Sequence, residues 1–268
     1  SPRVRVYANG WGASQSPEEV ARRASEVVAK GFTALKFDPF SGPWRAYIDH
    51  TQEAEAVARV QAVREAVGPD VEILVEVHRR LAPMHAVRVA RAMEPFRPYW
   101  FEEPVSSRDL GSLAEVRREI SLPVVTGEEL YTKMEFKDVL EKRAADILNP
   151  DVCNCGGILE LREIAAMADA QHVAVSPHNY NSTTVGLAAT LHASAGMPNF
   201  LITEYFVNFE AVGAQIANPP FVVEDGYITL RETPGLGIDL DDAALRARPH
   251  QQRGQRDLAQ AADHFKAQ

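Results

Sequence analysis

Three stretches of this chain have the same form, a short and mostly apolar run that leads to a glutamate. They are Ile73-Leu74-Val75-Glu76, Tyr99-Trp100-Phe101-Glu102 and Pro123-Val124-Val125-Thr126-Gly127-Glu128. The glutamates are evenly spaced, since 102 − 76 = 26 and 128 − 102 = 26. A strand with its crossover helix and the next strand takes about 30 residues or more, so a step of this size from strand end to strand end fits one β/α repeat.

The same alternation of strand-like and helix-like segments runs along the chain from Val4 to Thr203. Eight units in about 200 residues with short connections predict an α/β fold of the (β/α)8 TIM-barrel type. We therefore expect a catalytic barrel over residues 1–204. For residues 205–268 we expect a C-terminal extension with a hairpin around Asp225-Gly226 and a short helix near residues 241–246. The last, glutamine-rich residues are predicted to be disordered.

The three glutamates are predicted to meet at one end of the barrel, because the carboxyl ends of parallel strands share one edge. Three carboxylates brought together repel one another unless a cation lies between them. Ligands that are all oxygen atoms favour Mg2+, or Mn2+, over zinc. Glu76, Glu102 and Glu128 are therefore the predicted metal ligands.

Other strand ends add groups that can move protons. Asp151 follows the sixth predicted strand and His178 the seventh, which suggests a pair in which the carboxylate orients the imidazole of a general base. His78 lies two residues after Glu76, and strand alternation would point it toward the barrel axis as a second acid or base. Glu204 ends the eighth strand and is a candidate for binding substrate.

Lys36, on the second predicted strand, has two interpretations. It offsets the negative charge of a bound substrate, or it is a buried ion-pair partner of the metal-binding glutamates.

The composition excludes several classes of function. The chain has 268 residues and a formal net charge of −9, with no basic stripe that could meet the phosphates of a nucleic acid. No apolar run approaches the roughly 20 residues of a membrane span. The two cysteines, Cys153 and Cys155, are too few and too close for a disulfide framework, which favours a reducing cytoplasm.

The chain resembles the enolase superfamily, in its mandelate racemase subgroup, and most closely the acid-sugar dehydratases of the galactonate dehydratase type. The resemblance extends over about residues 31–204 and includes the segment Pro234-Gly235-Leu236-Gly237. The motifs that carry it are Ala34-Leu35-Lys36, Val77-His78-Arg79-Arg80, Phe101-Glu102-Glu103-Pro104, Thr126-Gly127-Glu128, Pro150-Asp151 with Gly156-Gly157-Ile158, Pro177-His178 and Thr203-Glu204.

The resemblance implies a Mg2+-dependent lyase that acts on an acid sugar and gives a 2-keto-3-deoxy acid. It makes His178, backed by Asp151, the base that takes the proton alpha to the carboxylate. It makes His78 the acid that protonates the departing β-hydroxyl, and Glu204 the residue that stabilises the enediolate oxygen. The superfamily is known to use a lysine or histidine base with Mg2+. Related barrels form symmetric homo-oligomers, which we expect here as well.

The sequence also departs from the family pattern. Glu76 stands where the first ligand is usually Asp, Arg79 where a glycine is usual, and Glu129 where relatives often carry Arg. The family places an α+β capping domain before the barrel, and we expect it to be absent from this chain. A racemase or epimerase of a 2-hydroxy acid, and a truncated, non-catalytic metal-binding homologue, are the alternative functions.

Overall fold

The structure is a computed structural model that describes residues 2–12, 16–42, 44–180 and 182–252. Within these ranges it confirms the predicted (β/α)8 barrel. The eight barrel strands are β1 (Arg3–Asn9), β2 (Ala34–Phe37), β3 (Glu72–Glu76), β4 (Trp100–Glu102), β5 (Val124–Thr126), β6 (Ile147–Leu148), β7 (Ala174–Val175) and β8 (Thr203–Phe206).

The strands form a closed ring of parallel pairs. Each strand from β1 to β6 pairs with the next along the chain, and β8 pairs with β1. Between β7 and β8 the pairing is one bridge, Val175 to Phe200, extended by the hydrogen bond from Leu201 N to Val175 O at 3.0 Å. All eight carboxyl ends therefore lie at one mouth of the barrel.

Helices follow the strands in the order expected of this fold. They are α1 (Pro17–Val28), α2 (His50–Val67), α3 (Pro83–Met93), α4 (Leu110–Glu119), α5 (Thr132–Glu141), α6 (Val152–Cys155), α7 (Ile158–Asp169) and α8 (Thr183–Ala195). Short polar side chains begin several of them, because an oxygen of Ser16, Asp49 or Asp109 accepts a hydrogen bond from a backbone N–H of the first turn.

The barrel interior is layered, and the layers follow from the two-residue period of a strand. An apolar layer closes the lower part of the barrel, with Ala34, Leu74, Trp100 and Ile202 among its buried members. Two residues further along the same four strands the inward side chain is polar in each case. Those polar residues are Lys36, Glu76, Glu102 and Glu204. The charged groups therefore lie directly above a buried apolar layer at the mouth of the barrel.

The segment after β8 turns back to the opposite end of the barrel. It contains α9 (Glu210–Ile216), β9 (Ala217–Asn218), β10 (Tyr227–Thr229), β11 (Asp239–Leu240) and α10 (Asp242–Arg246). A bridge between Glu224 and Tyr227 closes the turn at Asp225-Gly226, and β10 pairs antiparallel with the start of β1. The residues predicted to be disordered fall mostly within 253–268, outside the described residues. None of the described helices is long and apolar enough to cross a membrane.

Candidate metal centre and acid–base site

The three predicted metal ligands come together at the mouth of the barrel. Glu76 and Glu102 are register partners on β3 and β4, which makes their side chains neighbours. Glu76, Glu102 and Glu128 each offer a carboxylate oxygen, and these three oxygens lie within 4.8 Å of one another. Glu76 and Glu102 are buried and Glu128 is half-buried.

Glu128 reaches this group through an irregular strand end. Strand β5 stops at Thr126, and Gly127 has a φ of +140°, a conformation that side chains rarely adopt. A Cβ at Gly127 would stand 2.7 Å from Phe136 Cε1 and 3.2 Å from the backbone N of Asn149. A glycine is therefore required here, and the change in chain direction brings Glu128 to the other two carboxylates.

Lys36 lies within the carboxylate cluster and is almost fully buried. Its Nζ is 2.8 Å from Glu102 Oε1 and 3.5 Å from Glu76 Oε2. A third carboxylate, Glu204, is 3.6 Å away. Of the two interpretations of Lys36, the geometry matches the ion-pair partner.

The charges of this cluster favour a further cation. Glu102 accepts hydrogen bonds from Lys36, from Asn149 Nδ2 at 2.8 Å and from Trp100 Nε1 at 3.0 Å, as an ionised carboxylate does. Yet burial raises the pKa of Glu102 well above its usual value, and the charge of Glu76 adds to this rise. Burial likewise raises the pKa of Glu76 to about 7 although Lys36 opposes the rise, and Glu76 Oε2 has no hydrogen-bond partner among the described residues. A divalent cation would remove this conflict, so these residues fit one.

Arg79 balances the negative charge of Glu128, the third of the predicted metal ligands. Its guanidinium donates to Glu128, lies 3.6 Å from Glu103 Oε2, and is 3.1 Å from Glu129 Oε2. Burial alone would raise the pKa of Glu128, but the charges of His178 and Arg79 outweigh it and hold that pKa well below its usual range. Glu128 is therefore ionised, as a metal ligand must be.

The predicted pair of Asp151 and His178 is present at the neighbouring strand ends. The two residues form a parallel bridge just beyond β6 and β7, and His178 Nδ1 lies 2.7 Å from Asp151 Oδ2. On the other side of the ring, Nε2 is 3.3 Å from both Glu128 and Glu204. Burial alone would lower the pKa of His178, but the charges of Glu204 and Glu128 and the hydrogen bond to Asp151 raise it to about 10. Such an imidazole has a high affinity for a proton.

Glu204 is fixed from several sides at the end of β8. Its carboxylate accepts a hydrogen bond from the backbone N of Asn179 at 3.0 Å, and another from the Asn9 side chain. It also faces Lys36 and His178 and is wholly buried. The carboxylate thus borders both the ion-pair cluster and the candidate base.

His78 lies beside the cluster, but strand alternation does not place it there. Strand β3 ends at Glu76, and both His78 (φ +54°) and Arg79 (φ +62°) are left-handed. The backbone N of His78 donates to Glu76 Oε1 at 2.6 Å, and the ring Nδ1 lies 2.7 Å from Asp38 Oδ2. The direction of the ring is therefore set by this turn and by Asp38.

Sequence reasoning missed several contacts of this site, among them those made by Asp38, Arg79, Asn149 and Asn179. The first two contact His78 and Glu128, and the last two donate to Glu102 and Glu204. Each of these four lies within four residues of a strand end, which is the one sequence signal that could have found them. That signal alone does not separate them from solvated residues of the rim.

Comparisons with known proteins agree with this geometry. Residues 19–244 match the family model described as enolase C-terminal domain-like. The chain is 37% identical over 252 residues to a D-gluconate dehydratase of Thermoproteus tenax, covering 92% of this chain and 50% of that protein. It is 34% identical over 250 residues to a D-galactonate dehydratase of Ralstonia nicotianae, covering 91% of this chain and 64% of that protein. The chain thus spans about half to two thirds of the length of these relatives.

Solved structures show the same similarity. A mandelate racemase/muconate lactonizing enzyme-like protein from Rubrobacter xylanophilus superposes with a TM-score of 0.83 at 37% identity, covering 93% of this chain and 69% of that one. A protein described in the same words from Roseovarius sp. TM1035 gives a TM-score of 0.86 at 36% identity, over 95% and 66%.

Fold and site together define a (β/α)8 barrel with a carboxylate centre and a histidine–aspartate pair at its mouth. The chain belongs to the enolase superfamily, as a member of its enolase C-terminal domain-like family.

Proposed function

We propose that this protein is a Mg2+-dependent acid-sugar dehydratase. It would remove the proton alpha to the carboxylate of a sugar acid and eliminate the β-hydroxyl, giving a 2-keto-3-deoxy acid. The observation that carries the proposal is the position of His178, whose Nε2 lies 3.3 Å from both Glu128 and Glu204 while Nδ1 is held by Asp151. Relatives named D-gluconate and D-galactonate dehydratase support the substrate class.

In this proposal Glu76, Glu102 and Glu128 hold the metal. Mg2+, when bound, neutralises negative charge that develops on the substrate carboxylate, and Mn2+ could replace it. Lys36 keeps the buried carboxylates in place by balancing part of their charge.

The protein's own residues move the protons. His178 takes the proton from the alpha carbon, and Asp151 keeps the ring oriented for this transfer. His78 gives a proton to the departing β-hydroxyl. Glu204, wholly buried beside Lys36 and His178, is placed to hold a substrate oxygen.

An aldonate screen tests the proposal. The full chain is incubated in D2O with Mg2+ and a panel that includes D-gluconate and D-galactonate, and NMR follows exchange at the alpha carbon and formation of the keto acid. We expect both signals for at least one substrate, and neither in the presence of a chelator. The absence of exchange and product from every aldonate would overturn the proposal.

Three variants assign the roles. Glu102→Gln is expected to abolish Mn2+ binding measured by calorimetry, whereas the exposed Glu119→Gln leaves it unchanged. His178→Asn is expected to stop alpha exchange. His78→Asn is expected to permit exchange but block dehydration, and unchanged dehydration would refute its role as the acid.

One observation favours an epimerase as a second candidate. Inverting a carbon needs a proton-transfer group on each face, and His78 has a carboxylate partner, Asp38, just as His178 has Asp151. The same NMR experiment separates the two reactions, because an epimerase gives the inverted acid and no keto acid. The predicted homo-oligomer remains a prediction, which light scattering would test.

A further inference from the structure

A second histidine–aspartate pair lies beside the candidate metal centre. His78 Nδ1 is 2.7 Å from Asp38 Oδ2, the same separation as that between His178 and Asp151. The function proposed above uses His78 but assigns nothing to Asp38, which lies in the loop after β2.

Both carboxylate oxygens of Asp38 are engaged. Oδ1 accepts a hydrogen bond from the backbone N–H of Phe40 at 2.8 Å, and Oδ2 accepts one from Arg80 as well as facing His78. The Arg80 side chain is only 3% exposed, and its Nε donates to Val77 O at 2.8 Å. A buried guanidinium therefore fixes the oxygen that meets the imidazole. Its Nη2 also lies 3.4 Å from His78 Nδ1, further away than Asp38 Oδ2 at 2.7 Å.

The plane of the imidazole is fixed separately. Trp44 stacks on His78 with ring centroids 5.1 Å apart and an interplanar angle of 17°. Arg80 holds Trp44 in turn, because its guanidinium lies 5.0 Å from the indole centroid. One ring face and Nδ1 of His78 are thus occupied, and among the described residues Nε2 has no hydrogen-bond partner.

The backbone at His78 is held in a costly conformation. Its left-handed φ is followed by that of Arg79, and neither residue is a glycine. Hydrogen bonds at both residues stabilise the turn, from His78 N to Glu76 Oε1 at 2.6 Å and from Arg79 N to Glu103 O at 2.6 Å. Two adjacent residues in a strained conformation, each held by a backbone hydrogen bond, indicate that the direction of the His78 side chain is important.

We propose that Asp38 is a positioning residue that keeps a proton on Nδ1 of His78 and leaves Nε2 as the atom that serves the substrate. What Nε2 does rests on the proposed function. There the electron pair of the broken Cα–H bond becomes the C=C bond, and the Cβ–O bond breaks with its pair on oxygen. The Nε2 proton of the His78 imidazolium then completes a molecule of water, and the neutral ring that is left keeps its proton on Nδ1.

The position of the ring proton tests the inference without any substrate. On protein labelled with 15N-histidine, the ring nitrogen shifts of His78 show which nitrogen carries a proton, and His78→Asn identifies its signals. We expect a protonated Nδ1 in the wild type. An unprotonated Nδ1 there would overturn the proposal without any measurement on an Asp38 variant.

Asp38→Asn gives the opposite expectation. With its oxygen on the Phe40 N–H, the new amide group would lose the hydrogen bond from Arg80, donate to Nδ1 and shift the ring proton to Nε2. A proton that stays on Nδ1 in Asp38→Asn would show that Asp38 does not set the tautomer. Asp49→Asn is the matched control in the same loop, since it retains a helix cap and should leave the His78 signals unchanged.

Kinetics complete the test. We expect Asp38→Asn to lose elimination by about 10²- to 10⁴-fold while alpha exchange by His178 falls by less than about tenfold. Equal loss of both reactions, or unchanged elimination, would overturn the positioning role. If the wild type neither exchanges the alpha proton nor eliminates the β-hydroxyl, the proposed function fails. The positioning role of Asp38 is then tested by the tautomer measurement alone.

Discussion

Lys36 and Glu102 form a buried ion pair in which Nζ and Oε1 are 2.8 Å apart and the two side chains are 2% and 0% exposed. The same ammonium also faces Glu76 at 3.5 Å and Glu204 at 3.6 Å. One positive charge cannot balance three carboxylates in a medium of low dielectric constant. This imbalance is the physical reason to expect a divalent cation at the mouth.

Lys36→Met should therefore destabilise the metal-free protein strongly. Removing one partner of a buried ion pair leaves uncompensated charge and costs about 3–5 kcal/mol of the free energy of unfolding. Urea unfolding in the presence of a chelator measures this loss. The control Arg91→Met breaks an exposed pair with Glu119 and should cost less than about 1 kcal/mol. Equal losses of the free energy of unfolding in the two variants would contradict the role of Lys36 in balancing the buried carboxylates.

Stability of the metal-free protein should fall as the pH rises. Burial raises the pKa of Glu76 and of Glu103 to about 7, so both carboxyls bind protons more tightly when folded, and the stability gained is lost as the pH rises through about 7. His178, with a pKa raised to about 10, contributes stability that is present below its unfolded pKa and lost toward pH 10. All three groups act in the same direction.

Thermal unfolding between about pH 5 and pH 9 checks this sign. We expect the melting temperature to decrease over that range in chelator and to decrease much less with saturating Mg2+, because the ion takes the place of protons among the carboxylates. Glu128 and Glu204, whose pKa values are lowered, lose their contribution only at more acidic pH. A melting temperature that rises with pH in chelator would contradict the prediction.

Periodicity was sufficient to predict the barrel and the layer of inward polar residues. Glu76 and Glu102 each lie two residues beyond a buried apolar side chain of their strand, Leu74 and Trp100. Glu128 breaks this rule, since it lies three residues beyond Val125 and depends on the left-handed Gly127. The 26-residue spacing nevertheless led to it.

The strand and helix periodicity of the sequence does not predict contacts between residues that are far apart in the chain. The direction of His78 depends on a left-handed turn and on Asp38, forty residues earlier in the chain. Similarly, the Asp225-Gly226 turn is a local signal, but the partner of β10 is β1, more than 200 residues away. Such pairings are decided by packing, which the local pattern does not specify.

The two cysteines should differ in reactivity because their burial differs. Burial raises the pKa of both thiols, that of Cys155 to about 12, but only Cys153 is exposed to a reagent in solution. We expect iodoacetamide at mildly alkaline pH to label Cys153 in the native protein and Cys155 only after denaturation, as mass spectrometry of peptides would show. Faster labelling of Cys155 than of Cys153 in the native state would contradict the structure.

Asp151 has two tasks, and one substitution separates them. Its Oδ1 caps α6 by accepting the N–H of Cys153 at 2.8 Å, and its Oδ2 faces His178 Nδ1. Asn caps a helix about as well as Asp does, so Asp151→Asn should keep the cap of α6 and fold, although it loses the charge that faces His178. Its amide group cannot stabilise the same protonated and oriented imidazole, so alpha exchange should fall by about 10²- to 10⁴-fold.

The matched control for that variant is Asp109→Asn, which changes the cap of α4 at an exposed position with no histidine beside it. Exchange of the alpha proton in D2O, followed by NMR, is expected at the wild-type rate in Asp109→Asn. A loss of exchange in both variants would trace the effect to the helix caps. Wild-type exchange in Asp151→Asn would show that His178 does not need its carboxylate partner, and would remove the main support for His178 as the base.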